Sequence, residues 1–279
     1  MQDNQYFGVN VNQLLQTKYT MLSDNLKKIN SLVVAFSGGV DSTFLLFTAL
    51  QSLGKDSVLA VTACSPTFPK SELEETINFT KKHSIPHRLI TTDEVETINK
   101  QGNTPDRCYY CKHGLFSTLT AIAKTEGYQM VVEGSNIDDD HDYRPGRKAI
   151  RELGICSPLK EAGLSKEDIR ELSHHFDLPT WNKPAYACLT SRFQYYVDIT
   201  PEALARIEKS EEYLKELGFR QCRVRHYDHK ARIEVALDKV PEALSRADEI
   251  VTKLLGFGYT EIEIDPKGYR TGSMNVFRE

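Results

Sequence analysis

The chain has 279 residues, 40% of them apolar and 27% charged, so it can bury most of the surface it would expose unfolded, and disorder as the main state is excluded. Its 35 basic and 39 acidic residues leave a net charge of −4, near balance on both sides of residue 199, which excludes a basic arm for a nucleic-acid backbone. The first residues lack the pattern of a signal peptide and the longest apolar run, Leu32 to Phe36, is far short of the ~20 residues of a membrane span, so a cytoplasmic protein with reduced thiols and no membrane partner is expected.

Leu32 to Phe36 reads as a buried strand that feeds an apolar helix from about Ser42 to Leu53, and Val58 to Thr62 as the second strand. A polar helix from Lys70 to His83 leads to a third strand, His87 to Thr91, then a helix from Gly114 to Glu126 and a strand from Met130 to Glu133. Ser165 and Asp168 have the form of a capping box opening a helix to about His175. This alternation predicts an α/β domain over residues 1–197, with a parallel sheet covered on both faces. After Thr200-Pro201 the pattern changes: a helix from Glu202 to Leu217, strands Gln221 to His226 and Ala231 to Ala236, a helix opened by Pro241, and a last strand Tyr259 to Ile264. Residues 215–219 echo 253–257, each a helix end with a glycine stop. Residues 198–279 are therefore expected to form a small α+β domain with approximate internal repetition and a ferredoxin-like order.

Ser37-Gly38-Gly39-Val40-Asp41-Ser42 lies directly between the first strand and the first helix. The glycines let the backbone turn and bring its N–H groups close to an anion, the helix N-terminus favours phosphate, both serines add hydroxyls, and Asp41 can hold Mg²⁺ against the phosphates. The plain alternative is a glycine-rich turn with Ser42 as a helix cap. The segment resembles the pyrophosphate loop of the ATPases that include GMP synthetase, NAD synthetase, asparagine synthetase and the tRNA-thiolating enzymes, and it lacks the glycine-lysine pattern of a Walker-type loop. The resemblance implies an adenine nucleotide alpha hydrolase-like fold, ATP binding at Ser37, Gly38, Gly39, Asp41 and Ser42, and cleavage between the α and β phosphates to leave an adenylated carboxylate or carbonyl.

The nucleophile is then sought among six cysteines. Cys108-Tyr109-Tyr110-Cys111-Lys112 falls in a loop or first helical turn, where two thiolates can share a metal or cluster, or stand as two unrelated thiols. A lone pair is incomplete, since zinc and iron–sulfur sites take three or four ligands. Cys188 sits in a polar, turn-rich stretch, whereas Cys64 ends an apolar strand and Cys156 and Cys222 have no companions. Cys108, Cys111 and Cys188 together would leave one iron of a [4Fe–4S] cluster open to an added sulfide.

Residues 103–112, Asp142-Tyr143-Arg144-Pro145-Gly146, Trp181-Asn182-Lys183-Pro184-Ala185, Cys188-Leu189-Thr190-Ser191-Arg192, Arg223-Val224-Arg225 with Ala231 to Glu234, and Gly272-Ser273-Met274-Asn275 resemble the LarE family, in order and over nearly the whole chain. That resemblance implies an ATP-dependent sulfur transferase that converts the carboxylates of pyridinium-3,5-biscarboxylic acid mononucleotide to thiocarboxylates, for the nickel-pincer cofactor of lactate racemase. It implies one of two sulfur sources: a sacrificed cysteine, here Cys188, or a [4Fe–4S] cluster on three cysteines, the branch to which the Cys-x-x-Cys points. It places Asp41, Lys112 and Cys188 among the catalytic groups and Ser191, Arg223, Arg225 and Glu234 around the substrate, in a homo-oligomer that is hexameric. The family commonly continues Pro-Tyr-Gly after the Arg-Phe that stands here as Arg192-Phe193, where this chain has Gln194-Tyr195-Tyr196.

Arg223 and Arg225 are two apart and share one strand face, either solvated or ready to grip a phosphate by bidentate hydrogen bonds. Competing functions are tRNA thiolation, which calls for a basic surface; an ammonia-using synthetase, which leaves the cysteines unexplained; and a nucleotide-sensing module with structural zinc.

Overall fold

The computed structural model of the chain describes residues 12–141, 145–184 and 187–274. They fall into two compact units, residues 12–64, 70–92, 108–141 and 145–184 in the first and residues 65–69, 93–107 and 187–274 in the second. The quoted motif residues Asp142, Tyr143, Arg144, Ala185 and Asn275 lie outside the described residues.

The first unit is built on β1 (Leu32–Ala35), β2 (Val58–Cys64), β3 (His87–Thr91) and β4 (Met130–Val132). All pair in parallel in the order β3-β2-β1-β4, with Leu32 opposite both Val58 and Met130. The apolar strand sequences follow from burial on both faces. Leu32 and Val34 point into one core with α1 (Gln13–Ile29), α2 (Val40–Leu53), α7 (Pro158–Glu161) and α8 (Lys166–His175). Val33, between them, points into a second core with Phe116, Leu119 and Ala123 of α5 (Arg107–Glu126) and Ile150 of α6 (Gly146–Glu152). α3 (Lys70–Lys82) joins β2 to β3. The sequence analysis places no helix before β1, yet α1 stands there, with Leu15, Tyr19, Leu22 and Leu26 repeating at helical spacing and all buried. The capping box at Ser165 is present in both directions, between Ser165 Oγ and the Asp168 amide and between Asp168 and the Ser165 amide.

The second unit holds α4 (Glu94–Lys100), α9 (Pro201–Glu216), β5 (Cys222–Tyr227), β6 (Lys230–Val235), α10 (Val240–Ser245), α11 (Ala247–Gly256) and β7 (Glu261–Ile264). β5 and β6 are antiparallel and β6 and β7 parallel, in that order. This corrects the ferredoxin-like expectation. That fold needs a strand before α9, and the described residues offer there only the isolated bridge between Phe193 and His226. The repeat also shifts by two residues. Gly218 and Gly258 both have φ near +98°, and each precedes a buried aromatic, Phe219 and Tyr259, whose amide bonds back to Leu214 or Leu254. Early residues are tied in by side-chain amides: Asn99 exchanges two bonds with Ile199, and Asn103 donates to the carbonyls of Gln194 and Val197.

Candidate functional site

β1 has β2 on one side and β4 on the other, so the sheet's connections reverse there, and the crevice beyond the strands' carboxyl ends is where such sheets place ligands. Residues 37–42 leave β1 at that point. Gly39 caps α2 with no side-chain hydrogen bond, which leaves the first amides of the helix open. Ser42 is therefore not the cap; its hydroxyl lies 3.1 Å from Ser37 Oγ, accepts from the Ser37 amide and donates to Gly39 O, curling the loop on itself. Gly38 sits at φ +69° with Thr76 packed against it, 2.7 Å from where a Cβ would be, so a side chain is barred there.

Three residues that the sequence did not single out complete this loop. Gly134, just past β4, lies where a Cβ would come within 3.0 Å of the Ser42 amide and 3.3 Å of Asp41. Asn136 donates to Asp41 Oδ1 at 3.4 Å, and Lys166 Nζ pairs with Asp41 Oδ2 at 2.5 Å. Lys183, quoted above only as part of a motif, reaches Gly38 O (3.3 Å), Glu72 (2.7 Å) and Glu75 (2.5 Å). Burial works against the Lys183 charge, but the hydrogen bonds it donates to Glu72 and Glu75 outweigh this and hold the ammonium above its usual range. One carboxylate at the mouth of an open phosphate loop suits Mg²⁺, which is held by one or two carboxylates plus substrate phosphates.

Cys108 and Cys111 are the second and fifth residues of α5, on one helix face at three-residue spacing. Cys108 is exposed and Cys111 half-buried. Lys112 follows on the same helix, and Gly146 makes room for it: a Cβ there would sit 2.6 Å from Lys112 Cδ and 3.1 Å from Cys108 O. The remaining cysteines are chemically quieter. Burial raises the Cys64 thiol and pushes Cys156 and Cys222 up to about 12, in each case with a glutamate adding to the effect. Among the described residues, no group of three or more His, Cys, Asp or Glu side chains stands ready to hold a metal ion.

In the second unit, Cys188 precedes a short 3-10 turn, Leu189–Arg192. The surrounding protein and the Glu94 carboxylate raise its thiol, against hydrogen bonds with Thr190 and Thr67 that lower it. Glu94 is itself held by Ser65 and Thr67. Arg192, fully buried, forms a two-pronged pair with Glu211 and uses its remaining nitrogen on Ala187 O, Cys188 O and Ser191 Oγ.

Arg223 and Arg225 do share one face of β5, but that face is buried rather than solvated, with both residues close to 5% exposed. Arg225 grips Glu234 Oε2 with two nitrogens and donates to Ser191 O. Arg223 lies over the Tyr269 ring, and burial together with the neighbouring Arg192 lowers its pKa. Arg232 pairs with Glu234 and Asp265, and Arg270 with Asp265. Five guanidinium groups thus meet three carboxylates (Glu211, Glu234 and Asp265). Glu234 Oε1 and Arg232 Nε are buried with no hydrogen-bond partner. Arg192, Arg223 and Arg225 are buried, with Arg232 and Arg270 more exposed at the edge, and guanidinium groups gathered in this way suit an anionic ligand.

A family model described as NAD synthase matches residues 14–130, the part of the chain that holds residues 37–42. An uncharacterized protein of Synechocystis sp. is 38% identical over 264 residues, 94% of this chain and 98% of that one. Another of Methanocaldococcus jannaschii is 32% identical over 257 residues, 91% and 98% of the two chains. Pyridinium-3,5-bisthiocarboxylic acid mononucleotide synthase of Lactiplantibacillus plantarum is 37% identical over 261 residues, 94% of this chain and 95% of that one. With that identity running through both units and nearly the full length of the relative, the chain belongs to the LarE family.

Proposed function

We propose that the protein is an ATP-dependent sulfur transferase acting on the two carboxylates of pyridinium-3,5-biscarboxylic acid mononucleotide, the acid that corresponds to the thiocarboxylated product in the relative's name. The observation that carries this is the loop 37–42, curled by Ser37 and Ser42 at the reversal point of the parallel sheet, with the first amides of α2 uncapped by a side chain. In the proposed reaction a carboxylate oxygen attacks the α-phosphorus of ATP and pyrophosphate leaves. A sulfur nucleophile then adds to the acyl carbon and AMP departs, leaving a thiocarboxylate. The loop amides and Ser37 hold the pyrophosphate, Asp41 orients Mg²⁺, and Lys112 balances the developing phosphate charge.

The buried arginines of the second unit take the substrate's own phosphate, with Arg223 and Arg225 as donors, Glu234 as their orienting carboxylate and Ser191 at the edge. Residues 198–279 carry this binding role and the contacts of a homo-oligomer, and the proposed setting is the cytoplasm. For the sulfur, the proposed donors are Cys108, Cys111 and Cys188, the first and last exposed and Cys111 half-buried. That donor chemistry fits a [4Fe–4S] cluster, which when bound supplies an iron position for sulfide. The test is pyrophosphate release with ATP and the biscarboxylate mononucleotide. Release that depends on the substrate and is abolished by Asp41→Ala, with the fold intact by circular dichroism, supports the assignment. Undiminished release from that variant removes the loop from the reaction.

A further inference from the structure

Two lysines reach the phosphate loop, and they are committed differently. Lys183 divides its donors among Gly38 O, Glu72 and Glu75, and its side chain is 14% exposed; it is a strut of the loop. Lys166 Nζ bonds Asp41 Oδ2 at 2.5 Å, and its side chain is 32% exposed. Its backbone is fixed: its amide donates to Asp138 Oδ2, it follows the capped Ser165, and Asp168 of the same turn pairs with Lys18. The side chain beyond that anchor is a flexible four-carbon stem.

Asp41 is the carboxylate best placed to hold Mg²⁺, yet the oxygen that would do so is covered by an ammonium. A carboxylate facing a phosphate site without a cation would repel the incoming anion, so the ammonium makes the loop tolerable to phosphate before any metal arrives. The same oxygen cannot keep both cations in close contact. We propose that Lys166 is the placeholder for the metal on Asp41, and that on metal-assisted docking of a polyphosphate it leaves Asp41 and becomes a ligand of the pyrophosphate oxygens. This rests on the reading of residues 37–42 as a pyrophosphate site and assigns the exchange to one residue of α8. No bond is made or broken in it. One ion pair, ammonium with carboxylate, is replaced by two, metal with carboxylate and ammonium with phosphate.

The test measures binding of inorganic pyrophosphate, with and without Mg²⁺, by calorimetry of wild type, Lys166→Met and Lys166→Arg. Binding of Mn²⁺ without phosphate is followed in parallel by electron paramagnetic resonance. The expected result is opposite signs. Lys166→Met binds pyrophosphate with Mg²⁺ about ten- to a hundredfold more weakly, the size of one charge-assisted hydrogen bond, but binds Mn²⁺ alone more tightly because Asp41 is uncovered. Lys166→Arg restores most of the pyrophosphate affinity. Tighter Mn²⁺ with unchanged pyrophosphate would make Lys166 a mere cover and overturn the exchange. Weakening of both would mean that the loop had collapsed, and would overturn it too. Wild type that binds no pyrophosphate at all would instead refute the site itself, a separate outcome.

Discussion

Glu211→Gln tests whether the buried ion pair of the second unit organises the Cys188 segment. The wild-type pair is nearly sealed, with side-chain exposures of 0% for Arg192 and 4% for Glu211. Nε meets Oε1 at 2.8 Å and Nη2 meets Oε2 at 2.7 Å, while Oε1 also accepts the Val224 amide at 2.9 Å. Glutamine keeps the shape, but it turns one acceptor into a donor that faces the guanidinium and leaves Arg192 as an uncompensated buried charge. Removing one partner of such a pair costs about 3–5 kcal/mol, or a fall in melting temperature of roughly 10 °C for a chain of this size. Arg192 also donates to the carbonyls of Ala187 and Cys188, so the loss should have a local signature. Urea unfolding measures the first effect, and the alkylation rate of Cys188, followed by peptide mass spectrometry, measures the second. The double variant Arg192→Met with Glu211→Leu should recover much of the stability, since a well-packed apolar pair replaces a buried ion pair at little cost, but not the wild-type alkylation rate. A Glu211→Gln protein within about 1 kcal/mol of wild type, with Cys188 alkylated at the same rate, would refute this reasoning.

Gly134→Ala should cost about 1–3 kcal/mol by overpacking and weaken ATP binding, because its methyl group would press on the Ser42 amide 3.0 Å away; ATP calorimetry with unchanged affinity would detach the end of β4 from the site. His226 is buried with Nδ1 unpartnered, and burial, with Arg206 nearby, lowers its pKa from 6.5 to about 4. Its folded pKa lies below the unfolded value, so this contribution to stability is intact above pH 6.5 and falls as pH drops towards 4, at up to about 1.4 kcal/mol per pH unit. Urea midpoints against pH should show a shallower slope for His226→Gln. Tyr196 has φ +64°, a conformation that costs an L-residue about 1–2 kcal/mol, so Tyr196→Gly should raise the melting temperature in a thermal scan, and a lowered one would show that the ring earns its place by packing.

The Tyr196 case shows how sequence and structure inform each other. The position where the resemblance implies a glycine is left-handed here, and the chain keeps that turn by bonding the Tyr196 amide to Asn103 O. The parallel sheet was legible because β1 and β2 are apolar runs, and the strand-to-helix turn at residues 37–42 because its residues are contiguous. Lys166 and Asn136 were not legible, since they reach Asp41 from 125 and 95 residues away and each has an ordinary surface or turn role in its own segment. The burial of Arg223 and Arg225 was equally hidden: strand periodicity assigns a face but not what covers it, and the covering charges, Glu234 and Arg232 on β6 and Asp265 after β7, come from later parts of the chain. The two early segments, 65–69 and 93–107, join the second unit through Thr67, Asn99 and Asn103, ties that no local pattern announces.

The most direct measurement is an anaerobic incubation of iron-loaded protein with ATP, Mg²⁺, sulfide and the biscarboxylate mononucleotide. Mass spectrometry then follows both the nucleotide and the peptide that contains Cys188. The account predicts replacement of carboxylate oxygen by sulfur, pyrophosphate and AMP formed in step with it, product continuing to form beyond one event per chain, and an intact Cys188. A dehydroalanine at position 188 in protein that binds no iron, with product stopping after a single event, would contradict the three-cysteine account and make Cys188 the sulfur source.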